Sequence, residues 1–131
     1  MTDGARGTLT TLRRLLLVHH KALLDSERAR YDHDVERIQS SGQLLNLVLH
    51  DPFFAWLHEL SELIVLIDET LDADEPATPA DAARLLAQAR ALLMPAESGE
   101  GFRRQYFDAL QRDPDVVIAH GAVRKALEGL A

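Results

Sequence analysis

One stretch limits the possible folds more than any other: Asp51 to Asp72, DPFFAWLHELSELIVLIDETLD. Phe53, Leu57, Leu60, Ile64, Ile67 and Leu71 recur at steps of three and four residues. That spacing is one face of an α-helix. Phe54, Trp56, Leu63, Val65 and Leu66 widen the stripe until little polar surface is left in the second half. A helix apolar on nearly every side is expected to be enclosed on nearly every side. The segment therefore reads as the central helix of an all-α protein.

The remaining chain supplies helices to wrap it. Residues 1–7 contain two glycines and read as a frayed tail, leaving 8–131 as a single helical-bundle domain. From Thr8 to Gln39 there is neither Pro nor Gly, which predicts one long helix. Ser40 with Gln43 has capping-box spacing and starts a short, very apolar helix through Leu44, Leu45, Leu47, Val48 and Leu49. Asp51-Pro52, Thr78-Pro79 and Asp113-Pro114 each join a good N-cap to a residue favoured in the first helical turn. They predict helix starts at all three places. Ala82, Leu85, Leu86, Ala89, Leu92 and Leu93 form the apolar side of the helix after Pro79, and Phe102, Tyr106, Phe107 and Leu110 that of the next. After Pro114 the set is Val116, Val117, Ala119, Ala122, Val123 and Leu127. With short connections, the expected architecture is an antiparallel helical bundle of four main helices, one short extra helix, and a Pro break in the last helix.

Charge narrows the partners. Between Ile38 and Ala83 there is no Lys or Arg but nine acids: Asp51, Glu59, Glu62, Asp68, Glu69, Asp72, Asp74, Glu75 and Asp81. The net charge of −7 thus originates in the central segment. A nucleic-acid surface needs the opposite sign. The acidic segment is expected to face arginines within the fold, or else a basic protein partner. No apolar run approaches the roughly 20 residues of a membrane span. Arg13 and Arg14 precede only Leu15 to Val18, which is not a signal-peptide layout, so a cytoplasmic protein is expected. With no cysteine, disulfides and thiolate chemistry are excluded.

Catalytic signals are sparse. No Asp or Glu has a His three residues on, the inward-facing pair of metal-binding bundles. No two histidines stand four apart, as a zinc protease helix requires. His58 and Glu62 form the one His-x-x-x-Glu pair. Asp72-Ala73-Asp74 lacks the Gly and the distant Glu of a calcium loop. His20, Glu27 and Tyr31 share a face of the first helix, His50 and His58 flank the start of the central one, and Asp68 interrupts its apolar half. If those two helices pack antiparallel, His20, Glu27, His50, His58, Glu62 and Asp68 could line one polar pocket. A buried His beside a carboxylate can titrate near neutrality. No catalytic residue, cofactor or metal is assigned.

Arg28-Ala-Arg-Tyr-Asp-His33 resembles the Arg-x4–6-His spacing of HEPN-type ribonucleases, as do Arg14 with His19 and Arg13 with His20. That family usually has a polar residue after the Arg and carries the motif late in the fold. Here Ala29 follows Arg28 and the motif lies in the first helix, so no membership is read from it.

Leu15–Val18, Leu44–Leu49 and Leu63–Ile67 each present apolar side chains in every direction, and a small bundle encloses few such positions. The expected role is a structural or protein-interaction module forming a homodimer, with an interface that includes the N-terminal half of the first helix. The alternative is a bundle that binds a small molecule or metal in the His/carboxylate pocket.

Overall fold

The computed structural model describes residues 2–130, and among these it contains six α-helices and no strand. They are α1 (Thr2–Asp34), α2 (Ser41–His50), α3 (His58–Asp72), α4 (Pro79–Leu92), α5 (Phe102–Arg112) and α6 (Pro114–Glu128). A 3-10 turn, Ala55–Leu57, leads into α3. No helix among the described residues is long and apolar enough to cross a membrane.

The organising helix is α1, not the Asp51–Asp72 segment. Its 33 residues span roughly 50 Å at ~1.5 Å per residue, long enough to meet several other helices along its length. It packs against α3, α4 and α6. Leu9, Leu12, Leu16, His19, Leu23, Glu27 and Tyr31 form its buried stripe at helical spacing. Leu9, Leu12 and Leu16 of the N-terminal half are therefore covered within one chain, each worth ~1.5–3 kcal/mol of burial, while Leu17 and Val18 of the stretch expected at a dimer interface stay exposed. α1 also begins at Thr2, taking in most of the segment read as a tail: Ala5 is buried, and Arg6 donates to the Leu71 carbonyl at 3.1 Å. It ends at Asp34, earlier than expected, where the Asp32 carboxylate accepts from the Ile38 amide at 2.8 Å and buried Ile38 anchors the turn.

α3 buries Leu60, Leu63, Ile64 and Ile67 but leaves Val65 and Leu66 exposed, so it forms one wall of the protein. Its start also differs from the Asp51-Pro52 expectation. Asp51 does cap locally, accepting from the Phe53 amide at 2.8 Å. The chain then winds through i to i+3 bonds, Phe54 to Asp51, Ala55 to Pro52 and Leu57 to Phe54, before the α-helix begins at His58. That tighter winding places both Phe54 and Leu57 fully inside. Phe53 meets the Tyr31 ring edge-on and Phe54 packs tilted against it, and the Arg30 guanidinium lies 3.9 Å over the Phe53 ring.

The other two cap-plus-Pro starts hold. Thr78 and Asp81 form a reciprocal capping box, which keeps the Asp81 carboxyl below the usual carboxylate range. Asp113 closes α5 and caps α6 by accepting from the Asp115 amide at 2.9 Å. Gly101 stands before α5 with φ +87°, a conformation that L side chains rarely adopt.

Candidate functional site

Two rungs set α1 against α3. Arg13 pairs with Asp68, and the Ser61 hydroxyl lies 2.9 Å from Nε2 of His20. With Arg6 at Leu71, the residue order shows that these two helices run in opposite directions. Arginine does meet the acidic segment, at Asp68 and, from Arg84, at Asp81. Among the described residues, Glu59, Glu62, Glu69, Asp72, Asp74 and Glu75 form no ion pair.

The six residues expected to share a pocket are spread over the fold. His20 reaches Ser61, while His58 and Glu62 line a shallow hollow on α3 beside that same serine. Burial, then the charge of His58, holds the His20 pKa below its ordinary value. The His58 ring donates to the Val48 carbonyl at 2.9 Å, which ties α3 to α2. Asp68 is occupied by Arg13, and His50 is exposed at the end of α2. Glu27 lies apart and fully buried, accepting from Arg30 at 2.8 Å and from Arg112. Its paired charges join α1 to the end of α5. No group of three or more His, Asp or Glu side chains among the described residues could hold a metal ion.

A second enclosed polar cluster lies elsewhere. His19, turned about 100° around α1 from the His20 that meets Ser61, is 2% exposed, and its Nε2 lies 2.8 Å from the Tyr106 hydroxyl. That hydroxyl also lies 2.5 Å from Nδ1 of His120. A tyrosine has one hydroxyl proton, so it donates to one ring and accepts from the other. Burial, followed by the charges of His120 and His20, lowers the His19 pKa to about 4. Burial raises the Tyr106 pKa, while burial and Arg124 lower that of His120. All three rings are thus neutral at pH 7, and the chain of bonds fixes α1 against α5 and α6. The sequence does carry a signal for His19, because it continues the stripe Leu9, Leu12, Leu16, His19, Leu23, where an imidazole replaces a leucine.

Above this layer, α1 and α6 enclose an apolar groove of about 200 Å³, lined by Arg14, Leu15, Val18, His19, Ala119, Ala122 and Val123. Small residues on α6 make the groove, since alanines leave space beside the α1 side chains. Val18 is 67% exposed and Ile118 71%, higher than any other large apolar side chain described. Val18 lines the groove, and Ile118 stands one helical turn from Ala122 on the α6 rim.

No protein-family model matches this sequence, and no curated protein or solved structure matches it.

Proposed function

We propose that this chain is a helical protein-interaction module that works as a homodimer. The observation that carries the reading is the apolar groove between α1 and α6, with Val18 on its wall and Ile118 beside it, both largely exposed. Apolar surface gathered in one place marks an interaction site more often than scattered single residues do. In this reading α1, α3, α4 and the α5–α6 pair act as an antiparallel bundle of four main elements that offers one face to a second copy. Opposed residue order along α1 and α3 supports that arrangement, as does the placement of His19 beside His120 and Glu27 beside Arg112. Sedimentation equilibrium from about 1 to 100 μM tests it: the expected result is a reversible dimer, and a monomer throughout removes the reading.

A second reading has its own support. A groove of about 200 Å³ also has room for a small apolar molecule. Native mass spectrometry of the purified protein separates the two, as a ligand adds a fixed small mass to the monomer while self-association doubles it. The exposed carboxylates of α3, Glu59, Glu62 and Glu69, would suit a basic partner on a different side of the protein.

A further inference from the structure

We propose that the dimer is a two-fold pairing of α6 against α6, in antiparallel register about His120, with Ile118 of each copy seated at the groove of the other. This rests on the self-association reading and specifies its surface. Asp115, Ile118, Ala122 and Lys125 are spaced three, four and three residues apart, so they form one stripe, and all four are exposed. The stripe reads as its own complement when reversed. Asp115 and Lys125 lie five residues to either side of His120, and Ile118 and Ala122 lie two.

A two-fold axis at that level sets Asp115 opposite the partner subunit's Lys125, and Ile118 opposite the partner subunit's Ala122. Opposite charges therefore meet at both ends, and at the centre a large side chain faces a small one. An interface across a two-fold must be self-complementary in this way. The groove lies on the same side: Ala122 lines it, so an isoleucine arriving over Ala122 enters the space between α6 and α1. Arg14, on the α1 wall, adds a cation near the Lys125 end for the partner subunit's Asp115. Gly121, level with the centre, is exposed and carries no side chain to stand in the way. A parallel pairing of the same helices would set like charge against like charge.

Two charge reversals test the register. Asp115→Lys leaves only cations at the ends of the stripe, and Lys125→Asp leaves only acids. Each variant alone sets two like-charge pairs in its own homodimer, and its dissociation constant is expected to rise about tenfold or more. Mixed together, the two variants regain both opposite pairs, so a heterodimer of near wild-type affinity is expected. A shared loss of folding could not produce that rescue. Ile118→Glu is expected to abolish the dimer with unchanged helicity. Wild-type protein that is monomeric would remove both the self-association reading and this surface. Wild-type protein that dimerises while both reversals dimerise equally well, or fail to rescue one another, would remove this surface alone.

Discussion

Nε2 of His19 lies 2.8 Å from the hydroxyl of Tyr106, inside the protein where α1 meets α5. His120 holds the same hydroxyl from α6. One phenol thus serves three helices. Tyr106→Phe keeps the ring and removes both bonds, leaving ring nitrogens of His19 and His120 without their partner. The expected cost is about 1–3 kcal/mol, the range for stranding buried polar groups. Urea denaturation checks it, and an unchanged midpoint would show that the bonds do not hold α1 in place.

The same histidine predicts an acid dependence. Its folded pKa, about 4, lies below the ordinary value of 6.5. Between those values the unfolded chain takes up a proton that the folded chain refuses. Stability from this group is therefore complete above pH 6.5, falls as the pH drops toward 4, and levels off below. The full swing is ~3 kcal/mol by linkage. His20 and His120 are also lowered and add loss in the same direction. Unfolding measured from pH 7.5 to 4.5 should show this slope, and His19→Gln should flatten it.

Glu27 predicts strong coupling. It is wholly buried between Arg30 and Arg112. Arg112→Leu leaves that carboxylate with one cation and is expected to cost roughly 3 kcal/mol. Adding Glu27→Leu to that variant should cost much less than the sum of the two single changes, because the stranded charge is then gone. Additive losses would show that the two side chains act independently.

The position of α1 makes a contrast between two apolar truncations. Leu12 is fully buried on α1 and Val65 is half exposed on α3. Leu12→Ala should cost about 2–5 kcal/mol. Val65→Ala should stay within about 0.5 kcal/mol. Equal losses in thermal unfolding would restore α3 to the central place.

Gly121 offers a gain. It lies inside α6 with open space where a Cβ would go. Gly121→Ala should stabilise the monomer by roughly 0.5–1 kcal/mol, through helix propensity alone. A loss of stability would mean that a methyl group at position 121 meets a neighbouring side chain.

Local chemistry determined most of what the sequence could say by itself. The Thr78 and Asp113 caps, the prolines after them and the apolar side of α4 follow from bonds and spacings within a few residues, and they were readable. So was the burial of Leu63, Ile64 and Ile67. Tertiary structure alone decided which helix is enclosed. Local apolar density favoured α3, but length and stripe made α1 the hub, since Glu27 and His19 could be buried only once Arg112 and Tyr106 arrived from 85 and 87 residues away. The same distance explains the dispersed polar pocket. Position on one helix face fixes a direction, and the helix that comes to occupy that direction supplies the partner. His20 met Ser61 on α3, whereas His19, one residue earlier and so turned about 100° around the axis, met α5 and α6.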